Sequence, residues 1–205
     1  MKKDDLLKTL DVSRETYDRL VVFERVIQKC NRRINLVSRS SLDQLWTRHI
    51  FDSIQVFRCV EPPRTWVDIG SGGGFPGLII AILCADESPD TDVTLIESDQ
   101  RKSAFLRTAA RECGVKVKVL SERIETAEPQ QADVLSARAL ADLSALLAFS
   151  ERPLLPDAIS LFPKGERWKK EVDNAREQWR FEAEPVRSLT EEEAVILKIR
   201  GVVRV

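Results

Sequence analysis

The stretch with most chemical content runs Trp66-Val67-Asp68-Ile69-Gly70-Ser71-Gly72-Gly73-Gly74-Phe75-Pro76-Gly77. An apolar run passes into a glycine-rich loop, and the loop opens what reads as a helix. Glycines let the backbone take positive φ and let a ligand approach it closely. Pro76 suits a first helical turn, where its missing N–H costs nothing. Gly72, Gly74 and Gly77 also spell a literal G-x-G-x-x-G, and Glu97 lies twenty residues past Gly77. That spacing fits a carboxylate at the end of the next strand, accepting two ribose O–H bonds. On the loop alone, a dinucleotide and S-adenosylmethionine are equally served.

Two features separate them. Asp68 stands just before the loop, where a carboxylate is poorly placed for a pyrophosphate. It suits the ammonium and sulfonium of S-adenosylmethionine, directly or through water. The second feature lies in the order of elements.

From Thr65 onward, short β-rich runs alternate with helical ones. Strands are expected at Thr65–Gly70, Val93–Glu97, Val115–Leu120, Ala132–Arg138, Ala158–Pro163, Phe181–Val186 and Ala194–Arg200. Helices are expected at Pro76–Cys84, Arg101–Cys113, Leu140–Phe149 and Arg167–Arg180, with a turn near Arg123–Ala127. Such alternation implies a parallel sheet with right-handed crossovers. The last two strands are joined only by Arg187–Glu193, too short for a parallel crossover, so they must form an antiparallel hairpin. The fold class expected is therefore α/β: a seven-strand, Rossmann-like sheet of the class I S-adenosylmethionine-dependent methyltransferase type. A dinucleotide fold would be built from two equal halves.

Residues 1–61 read differently, as a helical N-terminal extension packed on a methyltransferase domain at 62–205. Ser13 is a plausible N-cap. Leu20, Phe23, Ile27, Cys30 and Ile34 make one apolar stripe, with Arg25, Lys29, Arg32 and Arg33 opposite. A second helical stretch covers Leu42–Val60 and ends at Pro62-Pro63. Residues 1–60 hold twelve Lys/Arg against eight Asp/Glu, whereas the remainder is net acidic. A basic face of that kind could meet RNA, but on charge alone a solvated helix face is the better reading.

Composition excludes other chemistry. With one histidine, His49, neither a multi-histidine zinc site nor a triad built on several histidines is available. The four cysteines are not at metal-ligand spacing and read as reduced thiols, so no metal is expected. No long apolar run follows the first lysines, so neither signal peptide nor membrane span is expected and the location expected is cytoplasmic.

Farther along, Ser121-Glu122-Arg123-Ile124-Glu125 follows the third strand. There, backbone groups of Ile124 and Glu125 would meet an adenine edge and Ile124 its face. An ordinary capped helix start is an equal reading. Arg138 closes the fourth strand and points at ligand or substrate, unless it serves a surface ion pair.

These blocks together resemble the RsmG family, also called glucose-inhibited division protein B. The resemblance rests on Asn35-Leu36-Val37-Ser38, Arg48-His49-Ile50-Phe51-Asp52-Ser53, Asp68 to Gly77, and Arg101-Lys102-Ser103-Ala104-Phe105-Leu106. Arg123-Ile124-Glu125, Ser136-Ala137-Arg138-Ala139 and Lys164-Gly165 complete it. It is close from about Asn31 to Arg138 and looser beyond. It implies methyl transfer from S-adenosylmethionine to guanine N7 in the 16S ribosomal RNA of the small subunit; separately, a monomer is expected. It implies cofactor contacts at Gly70, Phe75, Ile124, Glu125 and Arg138, beside Gly72 and Glu97 read from the loop. His49, Asp52 and Lys164 stand as substrate-side residues. No catalytic base is expected, because N7 carries a lone pair and no proton. Asp68 and Phe75 are candidates for favouring the charge that develops. Phosphate contacts are expected from Arg32-Arg33, Arg101-Lys102 and Lys169-Lys170. A methyltransferase acting on a small molecule or protein, a non-catalytic ribosome-binding factor and an NAD-dependent oxidoreductase are the competing readings.

Overall fold

The structure is a computed structural model that describes residues 3–151 and 154–205. Seven strands form one sheet: β1 (Thr65–Ile69), β2 (Asp92–Ile96), β3 (Lys118–Leu120), β4 (Ala132–Ser136), β5 (Leu154–Lys164), β6 (Trp179–Arg187) and β7 (Val195–Arg204). Their order is β3-β2-β1-β4-β5-β7-β6. The first five are mutually parallel, while β7 runs antiparallel to both β5 and β6. The chain reverses its direction of travel across the sheet after β3, so β1 and β4 flank the switch point where such sheets bind ligands.

Side chains of a strand alternate between faces, and here both faces are buried. Trp66, Leu95, Val134, Leu161 and Ile196 enter one apolar cluster, and their successors Val67, Ile96, Leu135, Phe162 and Leu197 enter the other. The first cluster is roofed by α2 (Arg14–Asn31), α4 (Phe51–Phe57), α5 (Gly77–Glu87) and α6 (Gln100–Glu112). The second is roofed by α7 (Leu143–Ser150) and α8 (Trp168–Ala175). Two short helices, α1 (Lys3–Thr9) and α3 (Arg39–Leu42), complete the N-terminal part.

The apolar stripe of α2 is what joins the N-terminal helices to the sheet domain. Leu20, Phe23 and Ile27 are fully buried in the cluster that holds α5 and α6. Ser13 caps α2, its Oγ accepting from the Thr16 amide at 3.0 Å, and it donates to Asp86 of α5 at 2.6 Å. Arg25, Lys29, Arg32 and Arg33 lie exposed on the far side.

Three expected elements differ. The helix foreseen at Leu42–Val60 is instead a π-helical turn at Trp46–Ile50 running into α4, and α3 ends at Leu42 where that helix was expected to begin. The strand foreseen at Val115–Leu120 is only β3, because the Val115 amide is taken by Ala110 O at the end of α6. The helix foreseen at Arg167–Arg180 stops at Ala175, since Trp179 and Arg180 pair with Arg204 and Val203 in the hairpin.

Candidate active site

Strand β1 delivers the glycine loop to the middle of the sheet edge. Gly70, Gly72 and Gly74 all have positive φ, which L side chains rarely adopt. A Cβ on Gly70 would also lie 2.7 Å from the Leu140 side chain. Four loop amides donate within the protein. Gly70 and Ser71 donate to Ile96 O, Gly74 donates to Ser71 O, and Gly72 donates to Glu97 Oε2 at 2.8 Å. Glu97 Oε1 accepts from the Asp99 amide, also at 2.8 Å. A pyrophosphate would need those amides free, so the loop is a poor dinucleotide cradle. It instead fixes a carboxylate with both oxygens anchored and lone pairs left over.

That carboxylate lines a cavity of about 300 Å³ together with Gly70, Gly72, Lys102, Ile124 and Glu125. Ala139, Leu140 and Phe149 lie on its other side. Leu140 is 39% exposed there, an apolar surface open to a ring. The turn carrying Ile124 is closed by the Thr126 and Ala127 amides, which donate to Arg123 O. Ser121 does not cap it; the Ser121 hydroxyl accepts from Arg107 at 2.7 Å. Leu140 and Phe149 escaped the sequence reading because nothing in their spacing marks them as facing the loop.

Asp68 lies beneath this floor rather than in it. It is fully buried and accepts a 2.6 Å bond from the Ser136 hydroxyl, which itself accepts from Trp66 Nε1 at 3.0 Å. Burial pushes its carboxyl up to about 6, against the opposing pull of hydrogen-bonding groups of Ser136, Ser71 and Gly77 and of the Arg138 charge. Of the two expected modes, direct or through water, direct contact between Asp68 and a cationic ligand is therefore not available. The carboxylate supports the loop from below.

Phe75 and Arg138 also differ from expectation, because neither lines the glycine-loop cavity. Phe75 is 5% exposed; it packs edge-on to Phe23 and stacks with His49 at 5.0 Å. The Arg138 guanidinium lies 5.0 Å over the same ring. It donates through Nη1 to Arg48 O at 2.9 Å and contacts His49 Nδ1 through Nη2 at 2.6 Å. The expected aromatic face beside the reaction centre is thus occupied by His49 and Arg138. Arg48 and His49, which make this contact, both lie in the π-helical turn, a distortion frequent at functional sites. Burial, then the charges of Arg138 and Arg48, push the His49 pKa down to about 3. The ring is therefore neutral at physiological pH. Burial lowers Arg138 to about 10, opposed by the charges of Asp52 and Asp68.

Arg138 lines a second cavity of about 330 Å³, which shares Ala139 of its wall with the first. Asp52, Gln55 and Lys164 also line it. Asp52 Oδ1 accepts a short hydrogen bond from the Thr190 hydroxyl on the β6–β7 loop. The same loop donates its Leu189 amide to Gln55 Oε1 at 2.7 Å, and its Glu191 pairs with Arg48 at 3.4 Å. These partners are 134 to 143 residues apart in sequence, so no local signal announces them. Lys164 is bound within the wall, donating to Ala141 O at 3.0 Å and to Glu171 at 2.7 Å, with its side chain only 8% exposed. It is not a free cation awaiting a phosphate. Among the paired basic residues, Arg32, Arg33, Arg101, Lys169 and Lys170 are exposed, and Lys102 faces the first cavity. Among the described residues no cluster of potential metal ligands exists, and no helix is long and apolar enough to cross a membrane.

Known proteins resemble the chain in sequence and in fold. A family model described as rRNA small subunit methyltransferase G (GidB) matches residues 16–199. Ribosomal RNA small subunit methyltransferase G of Ruegeria sp. is 64% identical over 196 residues, covering 96% of each chain. The protein of that name from Cereibacter sphaeroides is 48% identical over 206 residues, the whole of both chains. Solved structures share the fold at low identity. A putative O-methyltransferase from Klebsiella pneumoniae superposes with a TM-score of 0.59 at 15% identity, over 97% of this chain and 96% of that one. A SAM-dependent methyltransferase from Aquifex aeolicus gives 0.58 at 14% identity, over 76% and 92%. A class I methyltransferase fold, a glycine loop that anchors a carboxylate at its cavity and relatives of 48 to 64% identity over nearly their full length together establish that the chain belongs to the GidB family of ribosomal RNA small subunit methyltransferase G.

Proposed function

We propose that this chain transfers a methyl group from S-adenosylmethionine to N7 of a guanine in 16S ribosomal RNA. One observation carries the cofactor half of the reading. The loop amide of Gly72 is spent on Glu97, leaving a fixed carboxylate, not free amides, facing the cavity. Family membership carries the substrate half.

The residues present suit the cofactor. Glu97 accepts from ribose hydroxyls, Gly70 and Gly72 allow close approach of the backbone, and Ile124 and Glu125 meet the adenine. Leu140 adds an apolar wall. Phe75 and Arg138 act from behind the loop, bracing the wall beside Ala139 that the two cavities share. S-adenosylmethionine supplies an electrophilic methyl group on a sulfonium. The N7 lone pair needs no deprotonation, so no side chain has to serve as a general base. The protein's contribution is alignment and exclusion of water, which is worth several kcal/mol. His49, neutral and stacked on Phe75, positions Arg138; Asp52 faces the substrate side. Exposed Arg32, Arg33, Arg101, Lys169 and Lys170 meet phosphates, which makes binding depend on salt. In this reading the N-terminal helices (1–61) are an extension of the methyltransferase domain (62–205). The enzyme works as a monomer, in the cytoplasm where its substrate is assembled.

The test incubates the protein with labelled S-adenosylmethionine and small ribosomal subunits lacking the modification. Nuclease digestion and mass spectrometry should return label in 7-methylguanosine of the 16S RNA. Subunit binding without label would point to a non-catalytic factor, and label on another base would refute the N7 assignment.

A further inference from the structure

The second cavity contains a carboxylate held by one oxygen only. Asp52 Oδ1 accepts from the Thr190 hydroxyl and, at 3.4 Å, from Gln55 Nε2. Its Oδ2 takes no hydrogen bond among the described residues. Gln55 cannot swing away to satisfy it, because Gln55 Oε1 is committed to the Leu189 amide. The carboxylate is therefore fixed in direction by the hairpin loop, half-buried, and short of donors. Burial holds its pKa above the usual carboxylate value, as expected for an acid not fully solvated by its surroundings. A group so placed calls for donors from whatever enters the cavity.

The position of the cavity says what those donors must be. It shares Ala139 of its wall with the cofactor cavity, so a base occupying it lies next to the methyl donor. In guanine, N7 lies on the opposite side of the bicyclic ring from N1–H and the N2 amino group. Those two groups are adjacent donors, a match for carboxylate lone pairs. Adenine offers an acceptor, N1, at the corresponding place and would be repelled. An acceptor that holds the N1/N2 edge therefore selects guanine and, by the same act, turns N7 toward the donor.

We propose that Asp52 is the guanine-selecting residue of this enzyme, accepting from N1–H and the N2 amino group, with Thr190 positioning it. The proposal rests on the guanine-N7 reading above and adds the residue that enforces it.

Inosine separates the two. It keeps N7, O6 and N1–H but lacks the N2 amino group. Once the target is mapped, small-subunit RNA carrying inosine at that position is reassembled into particles and compared with guanosine particles. Wild-type protein should lose about tenfold or more in kcat/KM on inosine, since a site built to bond a group rejects an analogue lacking it. Asp52→Asn should lose about tenfold or more on guanosine and distinguish the two bases by less than about twofold. Its S-adenosylmethionine affinity by calorimetry should stay within about twofold of wild type. Asp52→Glu, which keeps the carboxylate, should retain a preference for guanosine.

Equal wild-type rates on both bases overturn the proposal, and that comparison needs no variant to fold. So does an Asp52→Asn protein that keeps the full preference, or one whose cofactor affinity falls as steeply as its rate. The last result would assign the cavity to the cofactor. If wild-type protein methylates neither particle, the activity itself is wrong and this selection falls with it.

Discussion

Nη2 of Arg138 lies 2.6 Å from Nδ1 of His49, and both groups sit on the ring of Phe75. The guanidinium has only donors, so Nδ1 must accept and the imidazole proton resides on Nε2. That bond ties the end of β4 to the N-terminal π-helical turn, and it forbids a second positive charge at the same place.

The pH dependence of stability follows. The folded pKa of His49 is about 3, below its ordinary 6.5. Between those values the unfolded chain binds a proton that the folded chain refuses, so this group's contribution to stability rises with pH and is lost as pH falls below 6.5. His49→Asn lacks the effect. Urea unfolding at pH 7.5 and pH 5 should show the gap between wild type and variant narrowing at the lower pH. A gap independent of pH would mean that the histidine is freely protonated in the folded state.

Asp68 predicts the opposite slope. Its folded pKa of about 6 stands above the ordinary 3.8, so between those values the folded chain holds a proton the unfolded chain has released. Stability from this group falls as pH rises through that window, by about 3 kcal/mol at most. Asp68→Asn should therefore look better relative to wild type at pH 7.5 than at pH 4.5. Denaturant midpoints at the two pH values measure it.

Glu97 carries two tasks through two oxygens: it accepts from Gly72 and Asp99 amides and faces the cavity. Glu97→Gln replaces one acceptor by an NH₂ that meets an N–H donor. Cofactor affinity should fall about tenfold or more, on the scale of a charged hydrogen bond lost from a site. Titration calorimetry with S-adenosylhomocysteine reads this directly, and unchanged affinity would remove Glu97 from the site.

Two glycines offer a contrast in stability. A Cβ on Gly77 would lie 2.5 Å from Leu95 and 2.6 Å from Asp68, in a fully packed core. Gly77→Ala should destabilise by about 1–3 kcal/mol through overpacking. At Gly114, φ is +67° but nothing lies within 4 Å. Gly114→Ala should lose only about 1 kcal/mol, from backbone strain. Thermal unfolding of the two variants, each with cofactor affinity measured alongside, tests whether contact or conformation dominates.

Much of this site is legible along the chain because its determinants are local. The change from helical to alternating texture at Thr65, the run of glycines and the spacing to Glu97 each follow from backbone needs over a few residues. The short Arg187–Glu193 connection alone dictates an antiparallel ending, which β6 and β7 bear out. The interrupted helix at Trp46–Ile50 was less legible, since a π-helical turn has no apolar period of its own.

Sequence alone determined the class of fold, the loop and the acid that faces its cavity, for these depend on φ preferences and on which residue types fit a strand, turn or helix start. Only the tertiary structure decided that Asp68 is sealed beneath the loop, that Phe75 is covered by His49 and Arg138, and that Thr190 grips Asp52. Those pairings join residues 26 to 138 positions apart in the chain. They arise because burying both faces of the sheet forces the N-terminal helices and the C-terminal hairpin onto opposite flanks of one cavity, where unmet hydrogen bonds must find each other.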